Sequence, residues 1–254
     1  GIDWIKRWGS VIDDARKPFY RWFAGGVLNT CYNCVDRHVE QGRAEQLALV
    51  YDSPLAGTQR KITYRELQTL TARCAGALLA MGVKKGDTVV IYMPMVPEAV
   101  VAMLACARIG AVHSVVFGGF AAPELAKRVV DAKPTAMISA SCGLLPGRSV
   151  PYKPLLDEAL KIAGVPATPC LILQRPELKA DMVAGRDIDW DEAMAAAAPA
   201  DAAASADAAA PAADAAAAPA ADAAAAPAAD AAAPADAAAA PAAPAADAAK
   251  PAGK

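Results

Sequence analysis

Two short stretches carry most of the chemistry this 254-residue chain offers. In Ala111 to Phe120, AVHSVVFGGF, a β-branched and aromatic run ends in Gly118 and Gly119, and a helical pattern follows at once. A glycine pair between strand and helix lets a ligand come close to the backbone, and the free N–H groups of a helix start attract an anion. The same residues also suit a tight connection with no ligand, because they fall short of the complete G-x-G-x-x-G fingerprint. The second stretch is Gly143 to Pro151, where Arg148 stands between Gly147 and Ser149 in a glycine and proline loop. A guanidinium there is able to fork onto a phosphate, or to remain an ordinary surface charge.

Other reactive groups are few. The chain has two histidines, His38 and His113, and the second opens a Val-rich run where a hydrogen-bonded core role suits it better than that of a base. Neither a G-x-S-x-G nucleophile elbow nor a Walker phosphate loop is present. Six cysteines, at 31, 34, 74, 106, 142 and 170, fall mostly inside apolar patterns, the usage expected of a reducing compartment. Cys31-x-x-Cys34 suggests a metal, but a zinc site needs a second pair of ligands at compatible spacing, and the sequence has none. Neither a metal site nor a catalytic residue is expected.

The elements that must position these groups are legible from periodicity. Leu47 to Asp52 and Lys61 to Thr63 read as two strands joined by a turn. Thr63 and Glu66 form a capping box that opens a helix with Leu67, Leu70, Cys74, Ala77 and Leu78 on one face, and Gly82 ends it. Thr88 to Met93 is a continuous apolar strand. Pro97 and Glu98 start a helix that runs to about Arg108 and closes at Gly110. Val112, Val115, Val116 and Phe117 then read as a buried strand. Ala121 to Asp131 follows as a helix with Leu125, Val129 and Val130 on one face. Pro134 to Ser141 is a strand, Gly143 to Pro151 a loop, Leu155 to Ala163 a helix and Cys170 to Leu173 a strand. Apolar strands alternating with helices predict an α/β fold, a mostly parallel sheet flanked by helices. Ligands of such sheets sit outside the carboxyl ends of the strands, so the Gly118-Gly119 turn and the Arg148 loop belong on that edge. Gly1 to His38, rich in Trp, Tyr, Phe and Arg without clean periodicity, reads as a wrap anchored by its aromatics.

From Ala195 onward the chain changes character: 41 of 60 residues are Ala, eight Pro and seven Asp. The 56% hydrophobic content is therefore inflated by alanine methyls, and the folding body is expected to end near residue 194. Seven Asp against two Lys give this stretch −5 of the overall charge of −2, which leaves +3 on the body. Basic residues are scattered there, so no nucleic-acid partner is expected. The most apolar window, Ala99 to Ala107, is too short to cross a bilayer, which predicts no membrane partner and a cytoplasmic protein. Gly1 holds the place of an initiator Met, as in a chain that begins inside a longer one.

WFAGGVLNTCYNCVDRHVE, ITYREL, GVKKGDTVVIYMPMVPEAVVAMLACARIGAVHSVVFGGF and GLLPGRSVPYKPLLDEAL together resemble the N-terminal part of the AMP-forming short-chain acyl-CoA synthetases. Within that family the chain looks most like the propionyl-CoA synthetases, with the acetyl-CoA synthetases next, and the resemblance runs from about Ile2 to Met194. It implies the first lobe of the adenylate-forming fold. Three segments follow from it: a family-specific N-terminal segment over residues 1–52, the start of the AMP-binding domain over 53–194, and a low-complexity tail over 195–254. It implies a propionate–CoA or acetate–CoA ligase whose small-molecule substrates are a short-chain carboxylate, ATP with Mg2+, and coenzyme A. The family's coenzyme A contacts carry over to Phe117, Gly118 and Gly119, and its nucleotide-binding loop to Gly147 and Arg148. Leu145 stands where acetyl-CoA synthetases commonly have another arginine. The Ser/Thr/Gly-rich loop with its Pro-Lys-Gly, the aromatic adenine motif, the ribose-binding aspartate and the catalytic lysine of the family have no counterpart in residues 195–254. The chain is therefore expected to be inactive alone, or alternatively to serve as a non-catalytic coenzyme A-binding or scaffold module with a linker tail.

Prolines recur in that tail at 211, 219, 227, 234 and 241. An interior proline costs a helix about 3 kcal/mol, and blocks this short do not recover the cost of nucleation. A peptide of residues 195–254 is predicted to show little helix by circular dichroism at room temperature; strong, stable helicity would contradict this.

Overall fold

The computed structural model describes residues 1–202. The expected tail beyond them lies outside the described residues. The N-terminal segment forms a hairpin, β1 (Ser10–Asp13) with β2 (Arg21–Ala24), and two π-type helical segments, Tyr32–Asp36 and Val39–Arg43. Trp4, Trp8 and Phe23 pack on one another with centroids 4.8 to 5.4 Å apart, so the aromatics anchor this segment largely to itself. A second antiparallel pair follows, β3 (Leu47–Ser53) with β4 (Thr58–Thr63). It leads into α1 (Tyr64–Ala80), whose capping box is complete: Glu66 N donates to Thr63 Oγ1, and Thr63 N donates to Glu66 Oε2 at 2.7 Å.

The body is a five-stranded sheet made of β5 (Thr88–Tyr92), β6 (Val112–Val115), β7 (Ala136–Ala140), β10 (Cys170–Leu173) and β11 (Asp187–Asp189). Its order is β11-β10-β7-β5-β6, and every pairing is parallel. Helices α2 (Pro97–Ile109), α3 (Ala122–Ala132) and α4 (Tyr152–Ile162) connect the strands, and α5 (Trp190–Ala196) follows β11. Successive side chains of β5 enter different cores. Val89 and Ile91 pack with α1, α2 and α5, whereas Val90 and Tyr92 pack with α3 and α4. The connection thus changes face between α2 and α3. The crevice at the carboxyl ends of β5 and β7, where the strand order reverses, is the place where such sheets hold ligands.

Four expectations are corrected. β6 is an edge strand rather than a buried one: Val112 and Val115 are each 55% exposed and Phe117 71%, and only Val116 is buried, at 3%. A Val-rich run reads alike in the middle and at the side of a sheet, and position in the strand order decides burial. For the same reason His113 is exposed rather than a core residue. Gly143 to Pro151 is not an open loop but the main part of a hairpin, β8 (Cys142–Leu145) with β9 (Arg148–Pro151). Pro146 and Gly147, the latter at φ +73°, supply the tight turn that closes it. In α3, Leu125 and Val129 are buried while Val130 turns outward. The polar strand β11, Asp-Ile-Asp, has no apolar run to announce it.

Two buried ion clusters fasten the periphery. Arg108 of α2 and Asp36, 3% and 5% exposed, form a two-pronged pair at 2.8 and 2.9 Å, and Gln68 donates to the same carboxylate. Arg108 Nε also donates to the carbonyl of Ala200, and Ala200 N to that of Ala72. Ordered contacts therefore continue past the composition boundary at 194. Gly76 of α1 lets this segment close in, since a Cβ there would collide with the Ala198 carbonyl. On the other side of the sheet, fully buried Lys153 bridges Asp157 and Asp187 at 2.7 and 2.8 Å, and Arg186 pairs with both carboxylates. Burial pushes the Asp187 carboxyl up, but hydrogen bonds from Arg186 and Lys153 outweigh it and hold the group below the usual range.

Removing one partner of a buried pair strands the other charge. Asp36→Ala is predicted to lower unfolding stability by about 3–5 kcal/mol in urea titration, and the paired replacement Asp36→Leu with Arg108→Met by clearly less. A loss below about 1 kcal/mol for Asp36→Ala, the range of an exposed pair, would contradict the buried assignment.

Candidate functional site

Both stretches singled out in the sequence arrive at the carboxyl edge of the sheet. The turn 117–120 follows β6, and the β8–β9 hairpin follows β7, beside the strand order reversal. At the turn, Phe117 is exposed and meets Phe120 edge-on at 5.7 Å, while Arg128 lies over the Phe120 ring at 5.9 Å. Phe120 N donates back to the carbonyl of Phe117, which closes the turn. A Cβ on Gly119 would overlap the exposed Phe117 ring, which would have to turn away to admit it. Helix α3 then begins at Ala122 with Pro123 in its first turn, so its opening N–H groups lie beside the two glycines. At the hairpin tip, Leu145 is directly opposite Arg148, and both are exposed next to Gly147.

Residues that sequence reasoning passed over join these two pieces. Tyr92, the last residue of β5, is buried, and its hydroxyl donates to the Phe120 carbonyl at 2.8 Å. Tyr152, the first residue of α4, stacks on Tyr92 with centroids 4.9 Å apart and planes 27° from parallel. A Cβ on Gly143 would come within 2.7 Å of the Tyr152 ring, and one on Gly118 within 2.9 Å of it and closer still to its hydroxyl. Burial raises both phenols, that of Tyr92 to about 12, so both remain protonated donors at neutral pH. Arg175, also buried, braces the hairpin base: its Nη1 donates to the Cys142 carbonyl, and its backbone N donates to Ser141 Oγ at 2.8 Å. The only sequence signal for this junction was a pair of aromatics at element ends, and such residues read as core.

The arrangement offers main-chain N–H groups at a glycine turn and an exposed guanidinium beyond them, a set that suits an anionic, phosphate-bearing ligand. It presents no nucleophile with an adjacent base. Among the described residues no three or more His, Cys, Asp or Glu are grouped to hold a metal ion, and no helix is long and apolar enough to cross a membrane. Cys31 is buried against Arg108, with its thiol pushed up to about 11 by burial, and Cys34 is exposed.

The chain resembles known proteins throughout this region. Residues 35–238 match the family model described as AMP-binding enzyme, and residues 1–34 match the acetyl-coenzyme A synthetase N-terminus. Acyl-CoA synthetase short-chain family member 3, mitochondrial, of Homo sapiens is 50% identical over 197 residues, which cover 77% of this chain and 29% of that protein. The acetyl-coenzyme A synthetase of Magnetococcus marinus is 47% identical over 197 residues, 77% of this chain and 30% of that protein. Among solved structures, the acetoacetyl-CoA synthetase from Streptomyces lividans superposes with a TM-score of 0.69 at 25% identity, over 79% of this chain and 30% of that one. The chain thus spans about 30% of the length of these relatives.

Five of the six cysteines are buried. Burial disfavours the reactive thiolate, so brief iodoacetamide treatment of the native protein is predicted to label Cys34 alone, read by peptide mass spectrometry, with the others labelled only after denaturation.

Proposed function

The chain belongs to the AMP-binding enzyme family, and on that premise we propose that it carries the coenzyme A-contacting part of an AMP-forming short-chain acyl-CoA ligase acting on propionate or acetate. In that reaction a carboxylate oxygen bonds to the α-phosphorus of ATP and pyrophosphate leaves. The coenzyme A sulfur then bonds to the acyl carbon, and AMP leaves. The residues assigned here serve the second half. Gly118 and Gly119 bring unshielded backbone N–H groups to the ligand, Phe117 offers an exposed ring, and Arg148 beside Gly147 offers a fork of donors to a phosphate.

The observation that supports this reading best is that the turn of Phe117 to Phe120 and the base of the hairpin that carries Gly147 and Arg148, separate in the chain, both pack against Tyr152 and Tyr92 at one sheet edge. A phosphate-bearing ligand can use either kind of donor. The first half of the reaction has no residues to run it here: positioning and charge stabilisation at the α-phosphorus are assigned by resemblance to motifs that the 254 residues do not contain.

Two measurements on the whole chain test the proposal. Titration calorimetry with coenzyme A is predicted to show binding that Arg148→Ala weakens on the order of tenfold to a hundredfold, the worth of a charge-assisted hydrogen bond. Absence of binding would leave the scaffold reading in its place. ATP–pyrophosphate exchange with propionate or acetate is predicted to be absent, and clear exchange would overturn that part of the proposal.

A further inference from the structure

We infer that Tyr152 is a positioning residue that locks the Gly118-Gly119 turn and the Arg148 hairpin into one rigid unit. The inference rests on the preceding reading of these elements as a coenzyme A site, and it names what holds that site in shape.

Tyr152 lies where three parts of the sheet edge meet. Its backbone N donates to the Ser141 carbonyl at 3.0 Å, which pins it to the end of β7. Its side chain, with the residue only 8% exposed, fills the space above Gly143 at the hairpin base and reaches Gly118 at the turn. Its remaining face stacks on Tyr92, whose hydroxyl holds the carbonyl of Phe120. One ring therefore touches the turn, the hairpin and strand β5. Gly118 has an ordinary negative φ, and so does Gly143. Backbone conformation does not demand glycine at either position, and the volume of the Tyr152 ring does.

The consequence is mechanical. The hairpin is buried only at its base, Cys142 and Gly143, while Leu145 to Ser149 are exposed. The direction in which Arg148 points is therefore set at the base, by the ring packed on Gly143. That ring also sets the height of the turn. Misplacing a donor by about an ångström is enough to forfeit most of what it contributes, so a ligand that uses both elements depends on the joint.

The test uses amide hydrogen exchange and calorimetry on the full chain, with Tyr152→Ala and Tyr152→Phe. Removal of the ring is predicted to speed exchange on the order of tenfold at both 118–120 and 143–149, with β5 and β10 amides unchanged, and the Phe variant to stay close to wild type. With coenzyme A, Tyr152→Ala is predicted to weaken binding on the order of tenfold, and Tyr152→Phe to restore it. Faster exchange at only one of the two segments, or equally throughout the sheet, would overturn the joint. Failure of the unaltered protein to bind coenzyme A would overturn the ligand reading, while the exchange pattern would still decide the joint.

Discussion

The interior strand β5 has to hide both of its faces, and most of the molecule follows from that demand. Val89 and Ile91 need cover on one side, Val90 and Tyr92 on the other. A parallel strand meets the requirement only if helices pack against both faces of its sheet. The chain therefore places α2 on one face and α3 on the other, and the change of face opens a crevice at the carboxyl ends of β5 and β7. Tyr92 ends the strand at that crevice. The same side chain closes one core and, through its hydroxyl, holds the turn that follows β6.

Charge is used in two ways around this frame. Asp36 with Arg108, and Lys153 with Asp157, Arg186 and Asp187, are paired within the protein and largely removed from water. Pairs of this kind are costly to break, so they fasten segments that have little apolar surface of their own: the stretch around Asp36, the residues near Ala200, and the polar strand β11. Arg148 is treated differently. It stands exposed at the tip of a hairpin closed by Pro146 and Gly147.

Period and punctuation made much of this architecture legible. The capping box at Thr63, the proline that opens α2, the left-handed Gly110 that ends it and the apolar strands β5, β7 and β10 are local devices, each decided within a few residues. The wrong readings concern relations between distant segments. Nothing within Val112 to Phe117 says that, among the described residues, no strand lies beyond β6, and such a run reads as buried. β11 pairs with β10 although its sequence is Asp-Ile-Asp, because Asp187 is paired with Lys153 and Arg186 while Asp189 accepts the first backbone N–H groups of α5. The glycines at 118 and 143 looked like turn residues, and their reason is a tyrosine that neither is near in sequence.

The amino-acid sequence by itself determined most of the helices and apolar strands, the α/β class and the family resemblance, since propensity, period and motif are properties of short stretches. Only the tertiary structure decided which strand lies at the edge of the described sheet, and that Tyr152 packs against both the glycine turn and the base of the arginine hairpin. Those outcomes depend on contacts between residues far apart in the chain, and close packing admits only arrangements in which every such contact is satisfied at once.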